Sequence, residues 1–205
     1  MSHFRPDIRQ RAEELVALYP QRRSAMLPLL HLAQEQDGYL SPEGMAEVAE
    51  LTGTTPADVQ GTATFYDMFH LEPVGKYVVG ICTNIACLLA GGEELLEHAT
   101  STLGCAVGAT SADGLFTLEE TECLADCNIA PCVQVNHRYA RTTTPEAFDA
   151  LVADLRAGKR GEEIPEHGTL IRVKRNGGLR VPASQIASER EAARAARAAR
   201  TEEAK

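Results

Sequence analysis

Four cysteines stand in two close pairs. CTNIAC carries Cys82 and Cys87 as C-x4-C, and ECLADC carries Cys123 and Cys127 as C-x3-C. Thiolates are soft ligands, and a [2Fe–2S] cluster takes four of them, two on each tetrahedral iron. The short spacing lets one loop wrap one iron, and the long gap between pairs lets a distant loop close on the other. Three further readings use the same residues. Unrelated buried thiols are one, since free Cys behaves as a small core hydrophobe. A four-cysteine zinc site is the second, although its ligands usually come as C-x2-C knuckles, a spacing neither pair has. Disulfides are the third. They need an oxidising compartment, to which nothing in the sequence points.

The remaining chemistry-bearing residues add little. Cys105 and Cys132 lie outside the pairs, and Cys132 stands as an alternative to Cys127 through a C-x8-C spacing from Cys123. A Rieske centre needs two His ligands, but His98 and His137 sit in no short frame with either pair, and His31 and His70 have no partner at metal spacing. Gly91-Gly92 follows no phosphate-loop or dinucleotide pattern and reads as flexibility at a helix start. A nicotinamide or flavin site is therefore expected on another polypeptide. Asn128, Ala130 and Pro131 read as turn chemistry beside the second pair, a turn that can aim backbone N–H groups at sulfur.

Secondary-structure signals say what must position the thiols. Ile8, Ala12, Leu15, Val16 and Tyr19 recur at helical spacing before Pro20. Met26, Leu27, Leu29, Leu30 and Ala33 suggest a second helix, with Pro28 near its start. Ser41-Pro42-Glu43 and Thr55-Pro56-Ala57-Asp58 open a third and a fourth, each with a hydroxyl N-cap and proline at the first helical position. Val59, Thr62, Tyr66 and Phe69 line one face of the fourth. Four short amphipathic helices predict a small antiparallel bundle over 1–73. Its aromatic group, Phe65, Tyr66 and Phe69, reads as core packing or as a docking face.

Lys76–Ile81 predicts a strand that delivers Cys82, followed after Cys87 by an apolar turn and a helix through Leu95, Leu96, Ala99 and Leu103 to Gly104. Leu115–Thr121 predicts a strand delivering the second pair. Val133 and Val135 lie on a third strand, with NHRYAR as a hairpin turn, and Thr144-Pro145-Glu146 opens a last helix ending at Gly158. Both cysteine loops leave strand C-terminal ends, so they can converge at one edge of a sheet.

With these elements placed, ATFYDMF, EPVGKY, CTNIAC, ECLADCNIAP and VQVN resemble the 24 kDa-type [2Fe–2S] subunit of the NADH-oxidising module of respiratory complex I, over about residues 20–158. The resemblance implies an α+β chain. A thioredoxin-like ferredoxin domain over 74–158 then follows the helical bundle; beyond the resemblance, the polar, Pro- and Gly-punctuated stretch after Gly158 reads by its composition as an extended arm with an Ala/Arg-rich tail over 159–205. The resemblance places the cluster ligands on Cys82, Cys87, Cys123 and Cys127, favouring Cys127 over Cys132. It implies a partner flavoprotein subunit that carries FMN and the NADH site, further iron–sulfur subunits, and a place on the cytoplasmic face of a bacterial membrane. The equivalent subunit of an NAD-linked hydrogenase or formate dehydrogenase is the alternative.

Bulk properties agree. A net charge of −9 argues against nucleic acid or an anionic membrane as partner. No apolar run approaches a transmembrane helix, and MSHFRPDIRQR lacks the apolar region of a secretory signal. No basic residue lies in CTNIAC or ECLADC, while Glu122 and Asp126 flank or enter the second loop. Adding an electron there is electrostatically uphill, so a low potential is expected.

Overall fold

The computed structural model describes residues 2–168, which fall in one compact unit. Thr169 onward, including the SEREAARAARAARTEEAK tail, lies outside the described residues.

The first four helices are α1 (Pro6–Val16), α2 (Met26–Asp37), α3 (Pro42–Thr52) and α4 (Pro56–Ala63). Their starts follow the capping signals. Ser41 Oγ accepts the Gly44 N–H at 3.0 Å, and Thr55 with Asp58 forms a reciprocal capping box. Pro28 lies in the first turn of α2, where no intrahelical N–H is needed. Two ends differ from expectation. α1 stops at Val16, because Pro20 disfavours helical geometry at Tyr19. Leu18 and Tyr19 instead make i→i−3 bonds to Leu15 and Val16, leaving Tyr19 exposed. α4 stops at Ala63, so Phe69 reaches the core after a further turn rather than along one helix face. Ala12, Leu29, Leu30, Val48, Val59 and Phe69 share one apolar cluster. Of the aromatic group, Phe69 is buried and Phe65 is exposed, so one serves packing and the other does not.

The second half is a four-stranded sheet of order β2-β1-β3-β4, with β1 (Tyr77–Cys82), β2 (Phe116–Thr121), β3 (Val133–Val135) and β4 (Arg138–Tyr139). β1 and β2 are parallel, in a register that puts Cys82 opposite Thr121. β1–β3 and β3–β4 are antiparallel. Tyr77, Val79, Ile81, Phe116, Leu118, Val133 and Val135 turn one face of the sheet to a core. Chain order places a short helix, α5 (Ile85–Leu89), directly after β1. α6 (Gly92–Leu103) and α7 (Pro145–Arg156) close the sheet core with Leu95, Ala99, Leu103, Phe148, Leu151, Val152 and Leu155. The period-2 alternation of a strand sends Gly80, Glu119, Thr121 and Gln134 to the other face. β1 is buried along its whole length, as a central strand must be.

NHRYAR does form the β3–β4 hairpin. Asn136 and His137 take φ of 49° and 60°, the left-handed pair that a two-residue turn requires. Asn136 Oδ1 accepts the Val78 N–H at 2.8 Å, which pins the turn to the central strand. Packing continues past Gly158. Ile164 is fully buried in the sheet core, and the His167 N–H bonds to the Lys76 carbonyl.

The helices and the sheet meet around His70. Its N–H donates to Gln34 Oε1, its carbonyl accepts from Leu40, and its ring lies 4.8 Å from that of His167. Across this junction Glu119 Oε1 on β2 is 3.6 Å from His70 Nδ1.

Candidate metal centre

The parallel pairing of β1 and β2 decides where the thiols go, because two parallel strands end at the same edge. β1 ends at Cys82, which is buried. The chain beyond it is no bare loop: α5 carries Cys87 inward. Asn84 makes that turn possible. Its Oδ1 accepts the Ile85 N–H, and its carbonyl accepts the N–H groups of Cys87 and Leu88. Two side-chain bonds then tie the first loop to the end of β2: Thr83 Oγ1 donates to Glu120 at 2.6 Å, and Asn84 Nδ2 donates to Glu122 at 3.0 Å.

The second loop leaves β2 and carries Cys123 and Cys127, both exposed. Ala125 takes φ of 62° between them, and Cys127 opens a single 3-10 turn to Ile129. The sulfurs of Cys123 and Cys127 are 3.9 Å apart. Two thiolates bound to one tetrahedral metal at about 2.3 Å stand roughly 3.8 Å apart, so this pair already has the separation one iron requires. The two loops also touch. The Leu124 backbone hydrogen-bonds to Cys82. Among the described residues no three His, Cys, Asp or Glu side chains gather around a single-ion position.

Burial pushes the Cys82 thiol up, against the backbone bonds from Leu124 and Asn84 that favour its thiolate. The Cys127 thiol is also raised, chiefly by its hydrogen bond to Cys123. Without metal these thiols hold their protons, and a bound soft cation must displace them.

Cys132 sits closer to the centre than its place in the sequence suggests. It is buried with Cys82 and Cys87. Its carbonyl accepts the Cys82 N–H at 3.0 Å, its N–H donates to Cys87 Sγ at 3.4 Å, and its own thiol donates to the Asp126 carbonyl at 3.0 Å. The N–H that reaches sulfur in this region is thus that of Cys132, directly after the Asn128–Pro131 turn, and its acceptor is the Cys87 thiol. Cys105 packs instead at the edge of the sheet core. His98 bonds to Asp149 at 2.7 Å between α6 and α7, and His137 lies exposed in the β3–β4 turn.

Gly92 departs from the sequence reading. A Cβ there would lie 2.8 Å from the Cys82 carbonyl oxygen and 2.9 Å from that of Cys87. The residue is needed for close approach, not flexibility, and only Gly91, at φ 91°, needs the left-handed region. The Tyr139 hydroxyl, which donates to the Leu124 carbonyl, is a second support the sequence does not reveal.

The family model of the thioredoxin-like [2Fe–2S] ferredoxins matches residues 12–156, both cysteine loops included. The chain belongs to this family. Its cofactor is accordingly one [2Fe–2S] cluster, and the paired thiols fit such a group. Subunit 2 of the NADH-quinone oxidoreductase of Thermus thermophilus is 46% identical over 155 residues, which cover 74% of this chain and 86% of the relative. An NADH-quinone oxidoreductase subunit from Mycobacterium tuberculosis is 42% identical over 158 residues, covering 75% of this chain and 63% of the relative. One from Rhizobium meliloti is 41% identical, with 75% and 91% covered. The likeness carried by ATFYDMF and the two cysteine loops is thus borne out. Among solved structures, an NAD+-reducing [NiFe]-hydrogenase in its air-oxidised state matches with a TM-score of 0.61 at 22% identity. That match covers 79% of this ferredoxin-family chain and 29% of the hydrogenase chain, and it speaks for the fold.

Proposed function

We propose that this chain is the electron-transfer subunit of an NADH:quinone oxidoreductase, with Cys82, Cys87, Cys123 and Cys127 as the ligands of its low-potential [2Fe–2S] cluster. The observation that carries the reading is that parallel β1 and β2 end at one edge, where Thr83 and Asn84 of the first loop bond to Glu120 and Glu122 at the end of β2, just before the second pair. When bound, the cluster takes up one electron and gives it back, here in exchange with the flavin of a partner protein. The chain's own residues do the holding. Asn84, Thr83 and Cys132 fix the two loops against each other, and backbone groups of Asn84, Leu124 and Cys132 stabilise ligand sulfur. The partners are the flavoprotein subunit that binds FMN and NADH and the further iron–sulfur subunits of the complex. NADH and flavin are not bound by this chain, and proton translocation belongs to the assembled enzyme. Among the described residues no helix is long and apolar enough to cross a membrane. We place the chain on the inner face of the cell membrane, held there by its partners. The working division is an antiparallel helical bundle over 1–73, the ferredoxin domain over 74–158 and an arm and tail over 159–205.

The equivalent subunit of an NAD-linked hydrogenase or formate dehydrogenase is the second reading. Identities of 41–46% to the quinone-reductase subunits, against 22–24% to the hydrogenase chains, favour the first.

Iron and acid-labile sulfide are to be measured on the purified chain after Cys→Ala at each of the six thiols. Substitution of Cys82, Cys87, Cys123 or Cys127 should abolish the cluster, and substitution of Cys105 or Cys132 should leave two irons per chain. Loss at Cys132 with retention at Cys127 refutes the ligand assignment.

A further inference from the structure

Ala125 stands between Cys123 and Cys127 with φ of 62°. A residue with a Cβ is disfavoured there, and Ala lacks the short polar side chain by which Asn or Asp offsets the cost. Something outside the loop must therefore hold the peptide that joins Leu124 to Ala125. The carbonyl of that peptide accepts the Tyr139 hydroxyl.

Tyr139 is placed for reach rather than for packing. It lies on the two-residue strand β4, is 45% exposed and belongs to neither apolar core. The base beneath it is fixed. Asn136 Nδ2 donates to the Lys76 carbonyl at 3.0 Å and to the Pro165 carbonyl at 2.8 Å, and the Ala140 N–H donates to the Val133 carbonyl at 2.9 Å. The hydroxyl is thus presented from a hairpin tied to the central strand.

Its target lies against the first thiol pair. Leu124 packs on buried Cys82, Cys87 and Cys132, and its backbone bonds to Cys82. On the other side of Ala125 the Asp126 carbonyl is anchored, accepting the Cys132 thiol at 3.0 Å and the Ile129 N–H at 2.9 Å. The Leu124–Ala125 peptide between these two anchors is held from β4.

We propose that Tyr139 is a positioning residue for the metal centre: by holding the Leu124–Ala125 peptide with Ala125 at positive φ, it keeps the Leu124 N–H on the Cys82 sulfur and so raises the cluster potential. The proposal rests on Cys82 being a ligand and adds a residue that tunes the site from a distance. A donor to ligand sulfur stabilises the more negative, reduced state, so loosening that donor lowers the potential.

The test uses the cluster-loaded full chain, with an EPR-monitored redox titration, iron content and a thermal melt. Tyr139→Phe removes one oxygen from a half-exposed ring. It should keep two irons per chain, move the EPR g-values and lower the potential. At the wild-type midpoint the ratio of reduced to oxidised cluster should fall about threefold or more. Ala125→Gly supplies the rescue, because glycine adopts positive φ without support. Added to Tyr139→Phe, it should restore the wild-type ratio. A potential that is unchanged or raised in Tyr139→Phe overturns the proposal even if its Tm falls, because a purely structural support moves only the melt. A double variant displaced as far as Tyr139→Phe alone overturns it too. Should Tyr139→Phe hold no iron, recovery of two irons in the double variant upholds the proposal and continued loss overturns it. A Cys82→Ala chain that keeps two irons overturns the ligand assignment, and this proposal with it.

Discussion

Replacing Gly92 by Ala adds one methyl group at the tightest point of the centre. Its Cβ would stand 2.8 Å from the Cys82 carbonyl oxygen, 2.9 Å from the Cys87 carbonyl oxygen and 3.0 Å from the Cys87 carbonyl carbon. All three are backbone atoms of Cys82 and Cys87, the proposed ligands, so no flexible side chain can yield. Two effects oppose each other. Ala gains up to about 1 kcal/mol of helix propensity over Gly, and less in a first turn. Overpacking costs about 1–3 kcal/mol, and here the strain is relieved only by moving α5 or the end of β1. Overpacking wins. With a net cost of about 1–2 kcal/mol, and each kcal/mol moving Tm by roughly 2–4 °C in a unit of this size, Gly92→Ala should lower the Tm of the chain by roughly 2–8 °C. It should also reduce iron per chain, because the displaced carbonyls belong to Cys82 and Cys87. Gly91→Ala is the control. Its φ of 91° penalises any side chain, but the nearest atom to a new Cβ is the Glu94 carboxylate at 3.7 Å. It should therefore lower Tm and leave iron content unchanged. The assays are thermal melts, iron and sulfide analysis and visible absorbance. A Gly92→Ala chain that melts at or above the wild-type temperature with full iron content would refute the close-approach argument.

The acidic residues beside the loops, Glu120, Glu122 and Asp126, and the absence of Lys or Arg from both loops set the direction of the potential. A redox titration followed by EPR should place it near the plant-type ferredoxins, at about −400 mV or somewhat above, and a value above zero would overturn the electrostatic reasoning. The histidine junction predicts acid sensitivity. Burial, aided by the charges of His70 and His137, holds His167 down to about 4, and burial also lowers His70. A folded-state pKa below the unfolded value of about 6.5 gives stability that is fully present above that value and is lost as pH falls through the window down to about 4. For His167 the loss between pH 7 and 5 is ~2 kcal/mol before screening and ~1 kcal/mol after allowing for its partial exposure. Glu119, raised by burial, works in the opposite direction and offsets part of it. Melts between pH 7 and 5 should show Tm falling, less steeply in His167→Asn, and identical slopes would remove His167 from the account.

Local chemistry was legible residue by residue. The hydroxyl–proline starts at Ser41 and Thr55 have visible signatures because a cap is made within four residues. The two cysteine spacings have one too, since a loop must fold back over a short distance to present both sulfurs. Helix ends were less visible. Tyr19 and Phe69 keep the spacing of the helices before them, yet α1 and α4 stop earlier, because periodicity records which side faces the core and not where the backbone turns.

Whatever depends on residues far apart in the chain needed the tertiary structure. The sequence by itself determined four thiols in two pairs and strands to carry them, because ligand type and strand patterning are properties of neighbours. The packed chain decided that β1 and β2 run parallel with Cys82 opposite Thr121, and so that the pairs share an edge. It decided that Cys132, outside both pairs, contacts Cys82, Cys87 and Asp126 at once. It also decided that Gly92 is small because two carbonyls pass beside it. These contacts form only when the fold brings separate segments within a few ångströms of one another, and no pattern of adjacent residues encodes that distance.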